Sequence, residues 1–322
     1  MKQLYTLRRT LSAIILLIAS ALPCMATEFV ADGITYSVAT DKDGCVYVSR
    51  GYYSDDIVIP SAVAHEGTTY SVTGIGERAF YDCTSLTSIS IPESVTSIGE
   101  RAFYNCTSLK SISIPKGVAR IGVSAFSYCT SLASITVSSE NTVYDSREGC
   151  NAIIEISSNI LIAGCRSTII PRGVTSIGES AFCGCTNLTS ISIPVNVTRI
   201  RSSAFSGCTS LTTVVCRAKE VPELGGEAFG NVPQDKATLY VPSSSIVAYR
   251  AADQWKGFGK ILSLEEYETG IDSPTAESAD AEGCDVYTIQ GTLIRKGCNL
   301  NGLPAGAYIL RHGNESKTVV IR

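Results

Sequence analysis

Apolar positions along most of this chain return on one short rhythm. Ala-Phe pairs end at Phe80, Phe103, Phe126, Phe182, Phe205 and Phe229, at intervals of 23, 23, 56, 23 and 24 residues. Cys83, Cys106, Cys129, Cys185 and Cys208 keep one fixed offset from their phenylalanines. Within each unit a Leu-x-x-Ile-x-Ile pattern follows, as Leu86, Ile89 and Ile91, as Leu109, Ile112 and Ile114, and as Leu188, Ile191 and Ile193. Alternation across Ile-Ser-Ile predicts a short strand with isoleucines inward and serines outward. Pro92, Pro115, Pro171 and Pro194 then end that strand, because proline has no amide hydrogen to give a continuing ladder. Val95 to Gly99 and Val174 to Gly178 read as a second extended piece before a glycine turn. One such unit buries too little apolar surface to offset the entropy of ordering its backbone. The pattern therefore predicts a stack in which neighbouring copies close each other's open faces.

The rhythm breaks between Cys129 and Phe182, where Ala152 to Ile156 and Ile160 to Ala163 flank the polar Ser157-Ser158-Asn159. Two apolar strands about a polar turn predict a β-hairpin, belonging to the architecture or protruding as a contact site. Phe29 to Tyr70 holds short alternating stretches, Ile34 to Val38 and Cys45 to Val48 among them, and predicts a β-rich cap. Toward the other end, Thr238 to Val241 repeats the strand signal. Pro242 and Ser243 to Ser245 supply a helix start, and Ile246, Tyr249, Ala252 and Trp255 follow at near-helical spacing. This predicts a closing helix with Trp255 in the core of the cap. Glu265 to Gly283 loses periodicity and reads as a linker, and the tail recovers strand character at Val286 to Ile289, Ala307 to Leu310 and Thr318 to Ile321.

From about Val72 to Val215 the sequence resembles the BspA-like leucine-rich repeats, whose 23-residue signature runs close to Ile-Gly-x-x-Ala-Phe-x-x-Cys-x-x-Leu-x-x-Ile-x-Ile-Pro. It departs from the commoner leucine-rich repeat, in which an asparagine or cysteine follows the strand. Pro92 and its equivalents hold that stretch here. The expected fold is a repeat solenoid: a β-rich leucine-rich-repeat array of short strands with turns or short helices, capped at both ends, plus a small β tail. The resemblance implies a binding protein at the cell surface, and a long repeat is part of it. Gly302 to Leu310 is similar to the late part of the carboxy-terminal sorting modules of the type IX secretion pathway, although the strand that opens those modules is not found.

Lys2, Arg8 and Arg9 precede the apolar run Leu11 to Leu22, and small residues follow to Ala26, which is the pattern of an export signal cleaved before Thr27. The run is too short to span a bilayer comfortably, so no transmembrane anchor is expected after cleavage. The expected organisation is a signal peptide over 1–26, a β-rich amino-terminal cap over 27–70, and repeats over 71–216 with the longer one at about 138–170. A last repeat and capping helix over 217–264, a linker over 265–283 and a sorting-like β tail over 284–322 complete it. An apolar fraction of 44% with 17% charged residues excludes a disordered chain. A net charge of −4 with scattered lysines and arginines gives no footprint for nucleic acid or anionic lipid.

The 13 cysteines of an exported chain suggest a disulfide framework, but their ladder spacing opposes it. In-register turns lie roughly 4.8 Å apart, whereas bridged Cβ atoms lie about 3.8 Å apart. Cys83, Cys106 and Cys129 are therefore expected as buried thiols. His65 and His312 fall in the cap and the tail, with no triad or paired-histidine metal site in prospect. Glu77, Glu100 and Glu179 recur with the repeat, and Arg78 and Arg101 beside the first two make a solvated, charge-balanced face. No phosphate-binding glycine loop or Cys-x-x-Cys pair occurs, and Cys183 and Cys185 stand too close for a zinc site. No enzyme and no cofactor are expected.

Two faces are candidates for binding. Ser88, Ser90, Ser111, Ser113, Ser134, Thr136, Ser190 and Ser192 form an outward hydroxyl ladder. Tyr52, Tyr53, Tyr81, Tyr104 and Tyr128 read as exposed, and Tyr81, Tyr104 and Tyr128 lie in the turns beside the cysteines as the alternative site. The expected partners are extracellular proteins or cell-surface ligands, host matrix proteins and other cells included. The competing reading is an envelope scaffold without a dedicated ligand.

Overall fold

The computed structural model describes residues 28–269 and the segments 284–288, 293–296, 306–312 and 315–321. The expected export signal, and residues 270–283 of the expected linker, lie outside the described residues. The fold is a β-solenoid of about ten turns, mostly strand with few helices. Its described residues divide into two compact units: 28–129 with 137–142, and 130–136 with those from 143 onward.

The first unit opens on antiparallel strands Glu28–Ala31, Ile34–Val38 and Cys45–Val48. Asp32-Gly33 turns the first hairpin with both residues at positive φ, as a two-residue hairpin loop demands. Pairing then becomes parallel. Cys45–Val48 pairs with Thr68–Ile75, which pairs with Ser97–Ile98, which pairs with Arg120–Ile121. A second ladder joins Asp55–Val58 to Leu86–Ser90. Parallel stacking thus begins well before residue 71, inside the stretch read as a cap.

In the second unit, Tyr144–Asp145, Ala152–Glu155 and Ile160–Gly164 form an antiparallel meander. Ile160–Gly164 then hands over to the parallel short strands Ser176–Ile177, Arg199–Ile200 and Glu223–Leu224. The hairpin is architecture: Ala152, Ile153, Ile154 and Leu161 are fully buried. The longer strands Ser190–Ile193, Thr213–Cys216, Thr238–Val241 and Lys260–Ser263 make the other parallel ladder. The helix Ile246–Ala251 and a 3-10 turn at Trp255–Gly257 follow the Thr238–Val241 strand. The tail is a four-stranded antiparallel sheet, with Leu293–Lys296, which its sequence did not announce, beside Cys284–Thr288, then Gly306–His312 and Glu315–Ile321.

The repeat signature has a physical reading at each position. Phenylalanines stack through the core, Phe80 on Phe103 on Phe126 at 5.0 and 5.5 Å and Phe182 on Phe205 on Phe229 at 5.1 and 5.3 Å, with nearly parallel rings. The backbone beside them binds the next turn: Phe80 N–H donates to Ala102 O at 2.7 Å, and Phe182 N–H to Ala204 O at 2.7 Å. The glycine is set by close approach, since a Cβ on Gly122 would stand 2.3 Å from the backbone nitrogen of Glu100. Each ladder cysteine sends its thiol back to the previous turn. Cys106 Sγ–H donates to Phe80 O, Cys129 to Phe103 O and Cys208 to Phe182 O, at 3.1 to 3.2 Å. A small, buried, weakly donating side chain fits that site, and Cys83, Cys106, Cys129 and Cys208 are free thiols. Burial pushes the Cys208 thiol up to about 12 and that of Cys216 up to about 11. Cys106 rises further, through its contact with the Cys129 thiol and then through burial.

The carboxy-terminal end of the stack closes on aromatics. Trp255 is buried against Phe229 and Tyr249, and its indole N–H donates to Pro222 O at 3.0 Å. Gln254 serves the strand-less backbone edge of the last turn, accepting from Ala228 N–H and donating to Gly225 O. Arg250 donates to Ile261 O on the edge strand. Leu264–Thr269, of which 265–269 fall in the expected linker, is helical. Ser263 and Glu266 form a capping box: Ser263 N–H donates to the Glu266 carboxylate at 2.6 Å and Glu266 N–H to Ser263 Oγ at 3.2 Å.

Candidate binding surface

The outward strand serines are where alternation places them. Ser88, Ser90, Ser111, Ser113, Thr136, Ser190 and Ser192 are exposed and Ser134 is half-buried. The ladder is not uniform, however. In the first unit Ser88 and Thr87 both donate to Asp56 Oδ1, at 2.6 and 2.7 Å, and these two bonds hold the Asp56 carboxyl below its usual range. Ser88 is thereby committed within the molecule. In the second unit the position in register with Ser192 is Val215, only 2% exposed, and the next is Tyr240, whose ring lies 5.0 Å from that of Tyr267 in the Leu264–Thr269 helix. Hydroxyls give way to a covered apolar row there. Ile169, an isoleucine just before Pro171, is 76% exposed and was not singled out by its pattern.

The tyrosines divide differently from expectation. Tyr52 is exposed, but Tyr53 is 6% exposed: its ring tilts against Phe80 at 4.6 Å and its hydroxyl donates to Ser49 O at 2.9 Å. It fills the core place that phenylalanine takes in later turns. Tyr81, Tyr104 and Tyr128 are half-buried and form a row. Tyr81 and Tyr104 stack at 5.0 Å and 4° between planes, Tyr104 and Tyr128 lie at 5.1 Å and 48°, and the Arg50 guanidinium sits 5.2 Å above Tyr81. Beside the row Asn105 donates to Asp82 Oδ1 at 2.9 Å.

The row is built against a backbone preference. Tyr81 and Tyr104 directly follow their phenylalanines, but Tyr128 stands one place later, where Asp82 and Asn105 stand in the turns before it. That place requires a left-handed backbone, with φ of 61° at Asp82, 60° at Asn105 and 61° at Tyr128. Asp and Asn tolerate this region, whereas for a bulky side chain it is an outlier costing roughly 1 to 2 kcal/mol. Ser127 takes the place after Phe126 and is buried.

Groups with chemical potential lie apart from one another. Glu77 pairs with Arg78 at 3.2 Å and Glu100 with Arg101 at 3.4 Å, all on the solvated turn face. His65 stacks on Phe29 at 4.0 Å in the amino-terminal sheet, and of His312 only the backbone is described. Among the described residues no group of three His, Cys, Asp or Glu side chains is placed to hold a metal ion. No helix among them is long and apolar enough to cross a membrane.

Comparison with solved structures finds leucine-rich repeat proteins. A leucine-rich cell surface protein of Faecalibacterium prausnitzii A2-165 is 20% identical, with 76% of this chain and 96% of that one covered and a TM-score of 0.38. The leucine-rich repeat protein of T. pallidum is 24% identical over 71% of this chain and 93% of its own, with a TM-score of 0.34. One from Bacteroides ovatus ATCC 8483 is 21% identical over 74% and 76%, with a TM-score of 0.32. No curated protein matches. The model of the BspA-type leucine-rich repeat region matches residues 67–161 and 155–246 in six copies, so the phenylalanine stack, the thiol ladder and the strand ladders described above are those of a chain that belongs to the BspA-type leucine-rich repeat family.

Proposed function

We propose that this chain is an exported, non-catalytic binding protein, and that it holds a protein partner at the cell surface through the tyrosine row of its first unit. Family membership supports protein binding. The observation that carries the choice of face is the row itself: three tyrosines on successive turns, the third kept in line despite a left-handed backbone. Strain of this kind persists where a position is selected for more than stability. Tyrosine is also a usual interface anchor, large and stiff with a polar tip. The serine ladder is the weaker candidate, since Ser88 is occupied by Asp56 and the second unit's ladder ends at covered Val215. Export rests on the pattern of residues 1–26, and the sorting-module resemblance of the tail supports delivery to the surface.

The test has two arms. Cell fractionation with amino-terminal sequencing should find the protein outside the cytoplasm and beginning at Thr27. Purified residues 27–322, offered matrix proteins and whole cells, should bind, and the Tyr81→Ala, Tyr104→Ala double variant should bind at least about tenfold more weakly while still folded. Equal binding by the folded variant would sink the tyrosine assignment. Absence of binding by the wild-type chain to any of these surfaces would sink the adhesive reading.

A further inference from the structure

The strand ladder of the second unit changes chemistry where nothing in the repeat requires it. Its outward column reads Ser192, Val215, Tyr240 and Leu262, each in register with the next. The first is exposed, and the others are buried or half-buried although they point away from the solenoid core. The helix Leu264–Thr269 folds back on the strands of Tyr240 and Leu262, Thr238–Val241 and Lys260–Ser263, with Val215 beside it in register, and it also meets the tail strand Glu315–Ile321. Tyr267 meets Tyr240, Glu268 pairs with Arg217 at 2.9 Å, and Ser243 donates to Glu265 at 3.4 Å. The helix is not needed to close the end of the stack, which Trp255, Phe258, Gln254 and Arg250 already do. It lies on the side of the stack. Six residues cannot hold a helix unaided, so this one depends on its capping box and on the face beneath it. Its hold on that face is of the weaker kinds, an exposed ion pair and a tyrosine that remains 43% exposed.

We infer that the face of Val215, Arg217, Tyr240 and Leu262 is a second docking surface, occupied in cis by residues 264–269, and that it fits in trans a short acidic protein segment with an aromatic side chain next to a glutamate. The helix itself states the chemistry: Leu264-Glu265-Glu266-Tyr267-Glu268 sets one aromatic ring on Tyr240 and one carboxylate on Arg217. A partner with the same two groups displaces it, and the open serines Ser190 and Ser192 beside the covered row extend the contact. This inference stands apart from the tyrosine row of the first unit and survives its failure.

The experiment uses residues 27–322 with Val215→Cys as a reporter, alone and combined with Tyr267→Ala and Glu268→Arg. Alkylation at position 215 is followed by peptide mass spectrometry, with buried Cys216 as the internal control, and hydrogen exchange is followed over 264–269. The probe is a synthetic peptide of residues 263–269 at millimolar concentration, to match the effective concentration of a tethered segment. In the opened protein, exchange of 264–269 and alkylation at 215 should each speed up about tenfold, the summed effect of one aromatic pair and one exposed ion pair. The cooperative melt should persist, and the peptide should slow alkylation again. Unchanged exchange or labelling would overturn the inference, because these contacts then do not hold the segment. Loss of the whole cooperative transition would overturn it by making the helix part of the structural cap, and failure of the peptide to protect would overturn the docking role.

Discussion

In the first unit the residue two places after each turn phenylalanine is Asp82, Asn105 and Tyr128, and in the second it is Gly184, Gly207 and Asn231. All six have positive φ, between 58° and 75°. One place earlier the first unit has Tyr81 and Tyr104 where the second has Cys183, Ser206 and Gly230. The same backbone is thus solved twice. The second unit uses small residues, with glycine removing the cost of the left-handed turn, and its outer turn face is plain. The first unit keeps side chains at positions where glycine would be easier, and those side chains line up. The lesson is that the repeat dictates the backbone and leaves the turn face free, so chemistry concentrated there reflects something other than folding.

The largest effect expected tests the premise that both units are stacks of one turn. Deleting Gly99 to Ile121, one full period, should leave a cooperative melt, whereas deleting Gly99 to Lys110 should abolish it, because only whole turns preserve register. Circular dichroism of the two deletions decides this, and equal damage would break the comparison. Next comes the close approach shared by the turns. Gly122→Ala places a Cβ against the backbone of Glu100 and should cost about 3 kcal/mol, against about 1 kcal/mol for Gly184→Ala, where the left-handed backbone is the main objection. Chemical denaturation would show the difference.

The tyrosine row offers a sharper contrast. Tyr104→Ala removes a ring stacked on one neighbour and tilted against another and should cost about 2 kcal/mol, whereas Tyr128→Asn loses one contact but relieves the backbone and should stay within about 1 kcal/mol. If Tyr128→Asn proves the more damaging, the strain argument falls. Alkaline pH probes the thiol ladder. The folded Cys208 thiol, at about 12, lies above its usual 9.0, so its contribution is fully present below pH 9 and lost as pH rises toward 12. Near pH 10 the loss should be about 1 kcal/mol, and Cys208→Ala should be less sensitive than the wild type over that window. The smallest effect should come from the turn-face ion pairs: Glu100→Gln should change stability by less than about 0.5 kcal/mol and lose even that in high salt.

Much of this protein was legible because a repeat states its own constraints many times. The 23-residue interval, the Ile-Ser-Ile alternation and the closing prolines placed the strands, the inward phenylalanines and the outward serines, and the near-helical spacing after Pro242 placed a closing helix. That helix, however, stops at Ala251, so that Trp255 is buried from a separate 3-10 turn. Two local signals went unread. Ser263-x-x-Glu266 is a helix start at the edge of the supposed linker, and the change from Ser192 to Val215, Tyr240 and Leu262 marks a covered face. The first was masked by the acidic, serine-containing composition that follows it. The second was masked because an outward apolar residue in one strand looks like noise until the register with its neighbours is known.

The sequence by itself determined the stack. A unit too small to fold alone, repeated with its apolar, glycine and cysteine positions in phase, has one economical way to bury them. Only the tertiary structure decided what each face became. It showed that Tyr53 stands in the core at a phenylalanine's place, that Asp56 claims Ser88, that Tyr128 rejoins Tyr104 through a left-handed turn, and that residues 264–269 fold back over Tyr240. Each of these joins residues from different turns, at separations where the strand and turn preferences of either partner carry no information about the other. Periodicity fixes which way a side chain points, and only the neighbouring turns fix what it meets.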